Sequence, residues 1–170
     1  YQHGSVIVEE KIEGEESSFQ AFCDGKRLAP LPETRDYKRA FDEDKGPNTG
    51  GMGSYKDVGE TLPFMTTEDR AKEIEIVNKI FRELRKTADK TDLRGIPFYE
   101  AFIHTGKEPK ILENNSRPGA PEILNLLLVL KDDFVDVCYK IIEGNLTHIN
   151  LEKKATVATY KAPPNYGGYA

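Results

Sequence analysis

The stretch PKILENNSRPGAPE, residues 109–122, decides how this chain is read. Lys110 to Asn114 carries the apolar pair Ile111-Leu112 and reads as a strand. Pro118-Gly119 breaks the run, and Pro121-Glu122 opens a short helix. Glu113 and Asn115 stand two apart at the strand end, so they face the same side. A carboxylate and an amide oxygen form a hard oxygen pair suited to Mg²⁺, which keeps waters and phosphate oxygens as its other ligands. Arg117 takes the next same-side position and suits a phosphate or carboxylate group. By spacing alone the stretch reads equally as a polar strand end followed by a Pro-Gly turn.

Working outward, Pro97 to His104 is a strand, and Thr105 to Glu108 turns it into the one just described. Further upstream, Thr66 or Thr67 caps a helix whose first turn holds Glu68 and Asp69. Ile74, Val77, Phe81, Leu84 and Ala88 recur at three and four, so one face of that helix is buried. Near the start, Val6 to Glu10 and Ser17 to Cys23 read as strands, and Asp24-Gly25 turns the chain back through Arg27 to Leu31. Downstream, Asp132-Asp133 open a helix with Phe134, Val137, Cys138 and Ile141 inward, and Ala155 to Tyr160 is a last strand. The sum is an α+β fold with largely antiparallel sheet and helices packed on it.

Two other stretches carry chemistry. VEEKIEGEESS crowds Glu9, Glu10, Glu13, Glu15 and Glu16 after an apolar run, either as a solvated strand end or as a nucleotide site. In the second reading, main-chain groups meet an adenine edge and a carboxylate accepts from ribose hydroxyls. Residues 32–63 read as a long polar loop holding DKGPNTGGMG, residues 44–53. Its glycines let backbone N–H groups approach an anion closely, and Asp36, Lys38 and Arg39 precede it. A plain surface linker has the same composition, and the Lys-Ser/Thr ending of a P-loop is absent.

The totals exclude several classes. Hydrophobic residues are 38% and charged residues 31%, a globular balance. A net charge of −5 with no long basic run argues against nucleic acid as the main partner. The most apolar run, Ile123 to Leu130, is interrupted by Asn125 and is too short to span a bilayer. Cys23 and Cys138 sit in apolar patterns and read as buried reduced thiols of a cytoplasmic protein. His3, His104 and His148 have no partners at ligand spacing, and Tyr99 and Phe102 read as core.

Taken in order, VIVEEKIEGEESSFQAF, RDYKRAFDEDKGPNTGGMGSY, KILENNSRPGAPE and PPNYGGYA resemble the phosphoribosylamine–glycine ligase (glycinamide ribonucleotide synthetase) family of the ATP-grasp superfamily. The resemblance covers nearly the whole chain. It implies that residues 1–160 are the C-terminal portion of an ATP-grasp domain and that 161–170 begin the connection to a further domain. It implies a larger ligase joining glycine to 5-phosphoribosylamine with ATP, through a glycyl phosphate, in de novo purine biosynthesis. The N-terminal and C-terminal domains would lie outside this chain, and the isolated piece would be inactive.

The same resemblance assigns roles. Glu10 and Ile12 would meet adenine through main-chain groups, and Glu16 the ribose. Glu113 and Asn115 would hold Mg²⁺ or Mn²⁺. Asp36, Lys38, Gly50 and Gly51 would line the substrate pocket, with Arg117, Lys38 and Asp36 acting on the transferred group. The sequence departs from the family at Ala120, where Asp is usual, and at Ala101, about twelve residues before Glu113, where a metal-binding Gln or Glu is expected. Glu100, its neighbour, is the replacement candidate if a bulge turns it round. A degenerate nucleotide-binding homologue, or a carboxylate–amine ligase with another acceptor, is the alternative.

Overall fold

The computed structural model describes residues 4, 6–87, 92–166 and 168. His3 and Ala88, and the last two residues of the PPNYGGYA stretch, lie outside them. Among the described residues, seven strands and three helices follow one another: β1 (Glu15–Cys23), β2 (Leu28–Pro30), β3 (Arg35–Phe41), β4 (Lys45–Lys56), α1 (Thr67–Thr87), β5 (Phe98–His104), β6 (Pro109–Asn115), α2 (Glu122–Leu127), α3 (Phe134–Glu143) and β7 (Thr156–Thr159). They form a four-stranded sheet ordered β2-β1-β5-β6 and a three-stranded sheet ordered β3-β4-β7. Every strand pairing among the described residues is antiparallel. The α+β expectation holds.

Alternation along β1 sets the layers. Phe19, Ala21 and Cys23 join Val77 and Phe81 of α1, with Phe98 and Phe102, in the main core. The face beyond carries Phe22, which packs with Val137 and Ile141 of α3. The larger sheet is thus covered on one side by α1 and on the other by α3. The N-terminus of α1 is closed reciprocally: Thr66 Oγ1 accepts from the Asp69 N–H at 3.1 Å, and Asp69 Oδ2 accepts from the Thr66 N–H at 3.0 Å. Asp133 caps α3 by accepting from the Val135 N–H at 2.8 Å, and Gly144 ends it in the left-handed region.

Several expectations are corrected. Residues 32–63 are not a loop. Most of them build the β3–β4 hairpin, and the glycine-rich stretch is the body of β4. Its ladder has register shifts after Tyr37 and after Arg39, which irregular glycine-rich pairing tolerates. Val6 to Glu10 is not a strand. Val6, Ile7 and Val8 are 85%, 85% and 90% exposed, since β propensity without a neighbouring backbone makes no ladder. On α3 only Val137 and Ile141 are buried; Phe134 is 46% exposed and Cys138 half-buried. Cys23 is buried, and both thiols are free. Leu84 points outward at the end of α1.

Phe102 is fully buried and meets Phe19 edge-on, with ring centroids 6.4 Å apart. Phe102→Ala is expected to lower unfolding free energy by about 3–5 kcal/mol, read as a reduced denaturant midpoint.

Candidate functional site at the junction of the two sheets

The two sheets meet where β1 runs into β3. Ser18 and Thr34 exchange backbone hydrogen bonds of 2.7 and 3.3 Å there. This junction sets Asp36 and Lys38 of β3 opposite the end of β6. A hollow of about 300 Å³ results, lined by Glu16, Arg35, Asp36, Lys38, Arg39, Asn48, Ala101, Leu112 and Glu113 among others. A second hollow of about 280 Å³ shares Asp36, Lys38, Asn48 and Glu113 and adds Thr49, Gly50, Tyr99, Arg117, Ala120 and Glu122. The acidic stretch, the tip of β6 and the glycine segment therefore converge, and Glu16 and Glu113 share one crevice.

Lys38 Nζ lies 3.7 Å from Glu16 Oε2, a cation and an anion that a ligand with hydroxyls and phosphates can separate. Glu10 and Ile12 lie outside both hollows, and Glu10 pairs with Lys110 at 3.2 Å. Gly50 lines the second hollow. Gly51 has φ +126°, and a Cβ there would come within 2.9 Å of Pro121 Cδ and 3.4 Å of Asp36 Oδ1. Only glycine lets β4 run this close to the turn after β6. Thr49 ties the segment down: its hydroxyl donates to the Lys38 carbonyl at 2.9 Å and accepts from the Gly51 N–H at 3.1 Å.

Register decides the oxygen pair. Glu113 lies opposite Ala101 and Asn115 opposite Tyr99, so Glu113 and Asn115 share a face. Asn115 Nδ2 is buried without a hydrogen-bond partner. Glu100 lies opposite Asn114, on the other face. A bulge is present, but on β6: Ile111 pairs with Phe102 and Glu113 with Ala101, leaving Leu112 extra. It does not bring Glu100 round. Asn114, with its amide oriented to satisfy both groups, donates to Glu100 Oε1 at 3.3 Å. Burial pushes the Glu100 carboxyl up to about 8. Among the described residues no group of three or more His, Cys, Asp or Glu side chains is arranged to hold a metal. Nor is any helix among them long and apolar enough to cross a membrane.

Asp36 is the most perturbed carboxyl lining the crevice. Burial, reinforced by Glu122 and opposed by Lys38, raises it to about 7. Its Oδ1 is shielded and has no hydrogen-bond partner.

Four residues escaped the sequence reading. Glu122 served there only to open a helix, yet it is a fully buried wall of the second hollow. Ser18 donates to it at 3.0 Å. Gln20 Oε1 accepts from the Gly119 N–H at 2.8 Å. Tyr99 is buried as expected of core, but its ring also lies under Arg117, whose Cζ is 5.7 Å from the centroid. No local pattern marks these roles, because each depends on which strand lies alongside.

The match to known families follows this geometry. The family model for the phosphoribosylglycinamide synthetase ATP-grasp (A) domain covers residues 2–123. The chain belongs to this family. Among curated ATP-grasp relatives, the phosphoribosylamine–glycine ligase of Methanocella arvoryzae is 41% identical over 171 residues, spanning 97% of this chain and 38% of that protein. The Thermococcus kodakarensis ligase is 44% identical over 163 residues, spanning 96% and 37%. The phosphoribosylamine–glycine ligase structure from Thermotoga maritima superposes with a TM-score of 0.74 at 29% identity, covering 88% of this chain and 36% of that one. Kluyveromyces lactis urea carboxylase, at 15% identity and a TM-score of 0.56, shares the fold. The chain thus spans less than two-fifths of the ligases it matches.

The Asp36 shift has a definite sign. A carboxyl whose folded pKa is raised favours the folded state below its unfolded pKa, and that contribution is lost as pH rises through about 7. Asp36→Asn removes it. The Tm of the variant relative to the parent is expected to climb between about pH 4 and pH 7 and then level off, measured by thermal melts across that window.

Proposed function

We propose that the protein containing this chain joins glycine to 5-phosphoribosylamine with consumption of ATP, through a glycyl phosphate, as a step of cytoplasmic de novo purine synthesis. The observation that carries this reading is the single crevice shared by Glu16, Asp36, Lys38 and Glu113. Family membership supports it. Residues 1–160 supply part of the ATP-grasp domain, and 161–170 lead toward a further domain.

The chemistry asks mainly for charge control. Glycine's carboxylate is already ionised, so no base is needed for it to attack the terminal phosphoryl group. The difficulty is bringing two anions together, and preorganised cations and N–H dipoles reduce it. Lys38 and Arg117 stand on the walls where that charge develops. Glu16 takes the ribose hydroxyls in place of Lys38, and main-chain groups at Glu10 and Ile12 take the adenine edge. Asp36, with its shielded and unpartnered Oδ1, faces the amine-bearing substrates. Gly50 and Gly51 keep the opposite wall free of side chains. The amine of phosphoribosylamine then forms the C–N bond as the acyl C–O bond breaks, phosphate leaves with the electron pair, and the nitrogen gives up one proton to the departing phosphate.

Glu113 and Asn115 fit as ligands of Mg²⁺ or Mn²⁺: two hard oxygens on one face, the carboxylate exposed and the Asn115 amide nitrogen unbonded. Such an ion would neutralise phosphate oxygens. Glu100, turned to the far face, does not join them.

A second reading rests on Ala101. It lies opposite Glu113 and contributes no ligand oxygen, which favours a weakly active or purely nucleotide-binding homologue. ADP release by the intact protein, with glycine and phosphoribosylamine both supplied, separates the two. Under the ligase reading, Glu113→Ala lowers ADP formation by roughly 100-fold, the scale of losing a few kcal/mol of charge stabilisation. Unchanged turnover would contradict the metal assignment.

A further inference from the structure

Arg117 and Glu122 frame a loop that holds Pro118, Gly119 and Pro121. Each proline fixes its own φ, so Gly119 is the point of backbone freedom between them. Packing demands a glycine there: an added Cβ would come within 2.8 Å of the Glu122 carboxyl carbon. Glu122 is itself held, 1% exposed and accepting from the Ser18 hydroxyl at 3.0 Å. The loop therefore lies on a buried carboxylate and is free to bend two residues from Arg117. Gln20 removes that freedom. It stands two beyond Ser18 on β1, on the same face, and is 2% exposed. Its Oε1 accepts from the Gly119 N–H at 2.8 Å. Its Nε2 is buried with no hydrogen-bond partner among the described residues. A buried donor left unpaired is unfavourable, and an apolar side chain would fill the same space without that penalty. Stability alone does not account for Gln20, and the proposed reaction uses neither it nor Ser18.

We infer that Gln20 and Ser18 are positioning residues: from β1 they clamp the loop that carries Arg117, Gln20 through the Gly119 N–H and Ser18 through the Glu122 carboxylate, and so aim Arg117 at an anionic group in the crevice. The Arg117 side chain is exposed and lines the second hollow. Its own contacts are the Pro118 carbonyl, to which it donates at 3.0 Å, and the face of the Tyr99 ring. Those contacts direct the guanidinium only while the backbone beneath it stays in place. An arginine mounted on fixed backbone loses less freedom when an anion arrives. Neither Gln20 nor Ser18 touches a reacting atom; both act through the loop. The inference rests on the ligase reading for the nature of the anion, a phosphoryl or carboxylate oxygen, but not for the clamp.

The test is hydrogen–deuterium exchange on the intact protein. Gly119 and Ala120 carry the only amide protons between Pro118 and Pro121, so exchange in this stretch is read almost residue by residue. In Gln20→Met, which keeps the bulk and loses the acceptor, exchange at Gly119 is expected to speed about fivefold, the scale of one hydrogen bond. The Leu31 amide donates to the Gln20 main-chain carbonyl at 2.8 Å and serves as the internal control, staying within about twofold of the parent. In turnover, Gln20→Met lowers kcat roughly three- to tenfold and leaves KM for ATP within about twofold. Added to Arg117→Ala, it lowers kcat no further. Ser18→Ala frees Glu122 beneath the glycine, shifts both readouts in the same direction, and carries the test if Gln20→Met does not fold. Unchanged Gly119 exchange, an equal acceleration at Leu31, or a kcat loss that multiplies with Arg117→Ala overturns the inference. A parent protein that releases no ADP while Gly119 exchange behaves as described overturns the ligase reading and leaves the clamp standing.

Discussion

The site depends on one register, that of β5 between β1 and β6. Ser18 lies opposite Ala101 and Ala101 opposite Glu113, so a single face carries the oxygen pair, the Tyr99 platform and the contacts to the turn after β6. A slip of one residue along β6 would exchange Glu113 for Asn114 and turn the carboxylate toward α1. Nothing in strand geometry forbids that slip. Packing does: Ile111 of β6 packs against the core that holds Phe98 and Phe102 on the α1 side, and its burial selects the pairing. The bulge at Leu112 absorbs the mismatch between the apolar half of the hairpin and its functional tip.

A cluster of buried charge holds α1 over the same region. Arg70 pairs with Glu33 and donates to the Leu31 carbonyl at 2.6 Å. Glu73 accepts from the Ser17 hydroxyl at 2.9 Å and lies 3.0 Å from His104 Nε2. Burial and the facing Glu73 push the Glu33 carboxyl well above its usual range, against the opposing pull of Arg70. Removing one member would strand the others in the interior, which is the costly way to break such a network. Ser17 sits in this cluster and Glu16 in the crevice, on opposite faces of β1. His104, its ring 3.0 Å from Glu73, ties the end of β5 to α1.

Helices and the β5–β6 hairpin were legible because their signals are local: apolar spacing along α1, the cap at Thr66, the turn at Thr105 to Glu108. Local signals failed in two places. β-branched residues at Val6 to Val8 promised a strand that lacks a neighbour among the described residues. Glycines and charges over residues 44–53 promised a loop, but β3 supplies a ladder that low propensity does not veto. Of the site, Glu16, Asp36, Lys38, Glu113 and Arg117 were legible by chemistry and resemblance, and the crevice gathers them. Glu100 was chosen for proximity along the chain, and strand alternation sends it to the opposite face.

Residue order alone determined the α+β class, the paired oxygens at the end of β6 and the acidic and glycine-rich stretches that mark the family. Each is a property of spacing within a dozen residues, and spacing survives without coordinates. Tertiary structure alone decided that Glu16 meets Lys38, that Glu122 is a buried anchor and not just the first residue of a helix, and that Ala101 stands across from Glu113. Those facts depend on which backbone lies beside which. That choice is made by burying Phe19, Phe98 and Phe102 together, residues that carry none of the chemistry.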